Sequence, residues 1–67
     1  MEGYRLLSYL FSSEQKIVDN KTSFKEAIEC AAKLIKDGFD KVTIFNKDGS
    51  VNRVYYNVNG KPQRLWS

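Results

Sequence analysis

From Phe24 to Ile35 the apolar residues Phe24, Ala27, Ile28, Ala31, Leu34 and Ile35 return at steps of three and four. That spacing lays one continuous stripe along an α-helix. Lys25, Glu29, Lys33 and Lys36 fall on the opposite side, with Glu29 placed four residues before Lys33 in the favourable order. Ser23 followed by Glu26 is a capping box, in which each side chain satisfies a backbone N–H at the helix start. Gly38 supplies the left-handed residue that stops a helix. The predicted helix spans about 23–37.

Beyond the helix the period changes to two. "NKDGS" fits a type I turn with Gly49 in the left-handed bulge position, which pairs Phe45 with Val51, Thr43 with Arg53 and Val42 with Val54. Asp48-Gly49 as a two-residue turn is the competing register. "VNGK" fits a two-residue type I′ turn that pairs Val58 with Lys61, Tyr56 with Gln63 and Val54 with Leu65. Pro62 lacks an N–H and requires an edge strand. These registers predict Val42, Ile44, Val54, Tyr56, Val58 and Leu65 on the helix side, and Lys41, Thr43, Phe45, Arg53, Tyr55, Arg64 and Trp66 on the other. A slip of one residue reverses such a division.

The opening segment "YRLLSYLF" fits a strand over 4–11, although Leu6, Leu7, Leu10 and Phe11 also make a helical stripe. We read a strand, a turn at "SSEQ" and a short strand over 16–19. The expected fold is α+β, a single domain over 1–67 with two layers. One amphipathic helix covers an antiparallel sheet in the order β-β-α-β-β-β.

"FKEAIECAAKL", "VTIFNKDGSV" and a closing tyrosine, from about Phe24 to Tyr56, resemble a family of small uncharacterised strand-strand-helix-strand-strand proteins of bacteria and their phages. The resemblance covers half the chain. It implies the fold and a bacterial or phage source, and no activity, because that family has none assigned. The N-terminal third and the added "NGKPQRLW" strand depart from the family pattern.

Charge sharpens the contrast between the two halves. Residues 1–40 hold six Lys/Arg against seven acids, a balance of −1, whereas residues 41–67 hold five against Asp48 alone, a balance of +4. The basic surplus therefore lies on the predicted hairpins. With 67 residues the core is thin, so a partner or a second copy would add stability. A single Cys30 makes no internal disulfide, and no signal peptide or membrane-spanning stretch is read, which makes the cytoplasm the expected compartment.

Catalytic chemistry finds little to use. There is no histidine, so there is no imidazole base and no His-containing zinc site. Cys30 lacks a His partner and falls on the flank of the helix stripe, which fits a half-buried small hydrophobe. Lys47-Asp48-Gly49 offers one carboxylate and one glycine, too few for a cation cage or a phosphate cradle, and is a plain turn. A domain of this size leaves little room for a pocket of roughly several hundred Å³. No catalytic residue, cofactor or metal site is predicted, and no small-molecule substrate.

The predicted outer face is the feature that points to binding. Phe45, Arg53, Tyr55, Arg64, Trp66, Lys41 and Thr43 would share it, with Trp66 opposite Arg53 and Arg64 opposite Tyr55 as cation–π pairs. Tyr, Trp and Arg dominate protein interfaces, so the expected partner is a protein, either a second copy or a host protein, meeting this face or the sheet edge. Aromatics beside cations also suit single-stranded nucleic acid, the alternative reading. A third reading has the opening segment covering this face, or the aromatics only stiffening it.

Overall fold

The computed structural model describes residues 3–11 and 15–64. Six elements follow in the expected order: β1 Tyr4–Leu10, β2 Gln15–Lys21, α1 Phe24–Lys36, β3 Lys41–Phe45, β4 Val51–Val58 and β5 Lys61–Arg64. The strands form one antiparallel sheet in the order β2-β1-β3-β4-β5, and α1 covers one of its faces. The fold is α+β. The ambiguous opening segment is an interior strand, paired on both sides, with Leu6 opposite Ile44 and Ser8 opposite Val42, all fully buried. The second strand is longer than the predicted 16–19, and the "SSEQ" turn falls largely outside the described residues.

Both ends of α1 are closed as its sequence requires. Ser23 Oγ accepts from the Glu26 N–H at 3.1 Å. At the other end Gly38, at φ +116°, reverses the chain. Its N–H donates to the Ile35 carbonyl (3.0 Å) and the Phe39 N–H donates to Leu34 (3.1 Å), which is a Schellman closure. Ala27, Ala31 and Ile35 are fully buried, and the two alanines let the helix backbone lie close to the sheet. Ile28, Leu34 and Cys30 pack half-buried at the margins.

The first hairpin turn forms as expected. The Asn46 N–H donates to Ser50 O (2.7 Å), the Gly49 N–H donates to Asn46 O (2.9 Å), and Gly49 has φ +93°. Phe45 faces Val51, as the turn dictates. The next step departs from expectation. Ile44 faces Arg53, Thr43 faces Val54, Val42 faces Tyr55 and Lys41 faces Tyr56, so Asn52 is an extra residue in β4. The expected pairs Thr43–Arg53 and Val42–Val54 do not form. Asn52 is a β-bulge whose Nδ2 donates to Asn46 Oδ1 at 2.7 Å, tying the bulge to the turn.

The bulge exchanges the two faces of β4. Val54, Tyr56 and Val58, expected beneath the helix, lie on the outer face; Arg53, Tyr55 and Asn57 face α1. The exchange is favourable because all three inward groups find partners there. Tyr55 is 9% exposed and belongs to the core cluster of Leu6, Ala27, Ala31, Ile35, Val42 and Ile44. The Arg53 guanidinium carbon lies 4.6 Å from the Phe24 ring centroid, and Arg53 Nη1 donates to Tyr55 Oη at 3.2 Å. Asn57 Nδ2 donates to the carbonyls of Ile35 (3.1 Å) and Phe39 (3.0 Å), while its Oδ1 accepts from the Gly60 N–H (2.7 Å). One amide thus ties the helix end, the loop after it and the second hairpin turn together.

The second hairpin keeps its expected register. Val58 faces Lys61 and Tyr56 faces Gln63, around Asn59 (φ +57°) and Gly60 (φ +82°), the double left-handed step of a type I′ turn. Pro62 sits on the edge strand β5, as its missing N–H requires. The Val54–Leu65 pair and Trp66 lie outside the described residues. Among those described, no helix is long and apolar enough to cross a membrane.

Adjacent tyrosines therefore differ sharply. Tyr55→Ala should cost about 3–5 kcal/mol, the usual result of deleting a buried aromatic, whereas Tyr56→Ala should cost under about 1 kcal/mol. Urea unfolding of the two variants checks this, and the reverse ranking would mean that β4 has no bulge. Ser8 Oγ, fully buried beneath the helix, has no hydrogen-bond partner among the described residues. Ser8→Ala should accordingly be neutral or stabilising in the same assay.

Candidate functional site: the outer face of the sheet

The side of the sheet away from α1 is organised by cross-strand register into three rows. Tyr9, Lys41, Tyr56 and Gln63 form the first, Leu7, Thr43 and Val54 the second, and Arg5, Phe45 and Val51 the third. Small and aliphatic side chains occupy the middle row. Thr43 (5% exposed) and Val54 (8%) are sunk between their longer neighbours. The middle row is thus a shallow apolar trough between two ridges.

The first ridge is an aromatic–cation ladder. Lys41 Nζ lies 5.1 Å from the Tyr9 ring centroid and 5.8 Å from that of Tyr56, so one ammonium bridges two rings on neighbouring strands. Beyond it lie Val58 and Lys61, paired across the hairpin. Val51 is 52% exposed and Val58 46%, one at each end of the face, and Phe11, 60% exposed, follows β1 at the Val58 end. Every charged strand residue described on this face is a cation: Arg5, Lys41 and Lys61.

Of the predicted site residues, Lys41, Thr43 and Phe45 are brought together here. Arg53, Tyr55 and Arg64 are not, because the Asn52 bulge turns them to the helix side. Arg64 does lie opposite Tyr55, though on that other face. Trp66 lies outside the described residues, so the expected Trp66–Arg53 pair does too; the described ring partner of Arg53 is Phe24. Arg5, Leu7 and Tyr9 complete the site from a segment whose own pattern fitted helix and strand equally. Their signal was present in "YRLLSYL", where a two-sided strand needs large residues at both parities.

The third row opens into a cleft of about 320 Å³ lined by Gly3, Arg5, Leu7, Phe45 and Lys47. A concavity of this size was not expected in so small a chain; the turn after β3 contributes Asn46, Lys47 and Gly49 to its lining. Gly3, at φ +99°, forms one wall, and a side chain there would collide with the Lys21 carbonyl. A second cleft of about 390 Å³ lies by the helix, between Lys21, Glu29, Cys30 and Lys33.

Among the described residues two carboxyls are perturbed, and both serve local structure. Hydrogen bonds from Thr22 Oγ1 (3.0 Å) and Ser23 Oγ (3.1 Å) hold Glu26 below its ordinary pKa. Ser50 does the same to Asp48, through its hydroxyl (2.6 Å) and its N–H (2.9 Å). Neither acid lies on the sheet face. Among the described residues no group of three or more His, Cys, Asp or Glu is placed to hold a metal ion.

Compared with known proteins, the chain matches no family model, no curated protein and no solved structure.

A lowered carboxyl pKa contributes stability that is complete above the unfolded-state value and is lost as pH falls through the folded-state value. The model-compound values are 4.5 for Glu26 and 3.8 for Asp48. Urea midpoints should therefore be flat near neutrality, where no histidine titrates, and decline below about pH 4.5. Glu26→Gln should make that decline shallower.

Proposed function

We propose that this chain is a non-catalytic protein-interaction domain and that the outer sheet face is its contact surface. One observation carries the reading: a row of shorter side chains, Leu7–Thr43–Val54, runs between ridges of tyrosine, phenylalanine, lysine and arginine. An apolar centre flanked by aromatic and cationic residues is the anatomy of a protein interface. The perturbed carboxyls do not supply a catalytic alternative, because both shift downward, one capping the helix and the other closing a turn. The cleft beside Arg5 and Lys47 is part of the same surface and gives a partner's side chain a place to enter. The resemblance of residues 24–56 and the lone cysteine support a bacterial or phage-infected cytoplasm as the setting.

A second reading, single-stranded nucleic acid, draws on the Tyr9–Lys41–Tyr56 ladder and on the absence of carboxylates at the described strand positions of this face. It ranks lower because the register turns Arg53 and Arg64 away, and because bases would have to stack over a floor of aliphatic residues.

A photo-crosslinking amino acid at Tyr56, compared with one at Glu29 on the helix, separates these cases. The protein-interaction reading expects adducts with protein, whether self or foreign, from position 56 and none from position 29. A fluorescence titration with oligonucleotides should show no binding even at about 50 mM salt. Binding that collapses as salt rises would favour nucleic acid instead.

A further inference from the structure

The occupant of the outer face follows from how its exposed groups are distributed. Val51 and Val58 lie on the same strand at opposite ends of the face, 52% and 46% exposed. Between them on β4, Val54 belongs to the trough and Tyr56 to the first ridge. A two-fold axis lying in the plane of the sheet, across the strands and midway between these two rows, sends each strand onto its own copy running the other way. It places Val51 over Val58 and Val54 over Tyr56 of the second molecule. By the same operation Lys41 meets Thr43, and Tyr9 meets Leu7. The first ridge of each copy enters the trough of the other, the third row meets the Val58 end, no cation faces a cation among the described residues, and both exposed valines are covered.

We infer that the partner is a second copy of this chain, packed sheet to sheet about that axis with the two helices outermost. The inference rests on the interaction reading above and specifies its partner. The face is large enough: the two long dimensions of the molecule, 30 × 25 Å, give a flat projection of about 750 Å², of the same order as the roughly 800 Å² per partner of a standard interface. Packed sheets cross at about 30°, a rotation that this axis permits. A dimer also thickens a core that is thin in a 67-residue chain.

The pairing of Val51 with Val58 of the other copy is testable by charge exchange. The two positions are about 20 Å apart along one strand, so charges placed there cannot pair with each other within a chain. Val51→Lys should weaken dimerisation in sedimentation equilibrium by about tenfold or more, because it puts an unpaired charge into the contact twice, and Val58→Glu should weaken it less, because Lys61 stands opposite the new carboxylate within its own chain. The double variant gains two intermolecular ion pairs and should dimerise about tenfold more tightly than the two single losses combined predict. Both sites are exposed, so circular dichroism should show the fold unchanged. A wild-type chain that stays monomeric at roughly millimolar concentration, single variants that dimerise normally, or a double variant without recovery would each overturn the inference. If the monomer nevertheless crosslinks to a foreign protein from position 56, the second copy is refuted and the interaction reading survives. If it crosslinks to nothing, both fall.

Discussion

The structure depends on one inserted residue. With Asn52 unpaired, every position after it in β4 lies on the face opposite to the one its turn would assign. Tyr55 then reaches the space above Val42 and beside Ala27, Ala31 and Ile35, where a ring fills what two alanines leave open. Asn57 reaches the helix end, where the carbonyls of Ile35 and Phe39 accept from its amide. Without the insertion, Val54, Tyr56 and Val58 would face the helix, and the Asn57 side chain would lose its hydrogen bonds to the helix end. The bulge is held from the turn side by the Asn46–Asn52 contact and from the core side by Tyr55.

The same insertion makes the outer face what it is. It removes Arg53 from that face and seats it on Phe24, which also contacts Tyr4 with ring centroids 5.4 Å apart. In exchange it delivers Val54 and Tyr56 to positions beside Thr43 and Lys41. Core and contact surface are therefore two results of one register. A surface built this way is stiff, because its side chains stand on a five-stranded sheet and not on loops, and stiffness lowers the ordering cost of binding.

The helix, its caps, both turns and the edge position of β5 were legible in the chain because each is set by neighbours within a few residues. Ser23 and Glu26, Gly38, Gly49, and Asn59-Gly60 each answer a local backbone need. Part of the site was legible for the same reason: Lys41, Thr43 and Phe45 follow the simple alternation of β3. The opening strand was half-legible, since "YRLLSYL" fits either period until it has neighbours on both sides.

The faces of β4 could not be read from alternation. Its two parities, Val54/Tyr56/Val58 and Arg53/Tyr55/Asn57, differ by more apolar character in the first, and a hydrophobicity pattern therefore favours the first for the core. The molecule buries the second because burial there is judged by partners. Arg53 has a ring and a hydroxyl, Tyr55 a gap to fill, and Asn57 three hydrogen bonds. Those partners come from residues 18 or more positions away, on the helix and the loop that follows it, except for the turn N–H of Gly60 and the neighbouring hydroxyl of Tyr55. Local sequence determined which elements form; only their assembly decided which side of the last long strand meets the helix and which is left for another molecule.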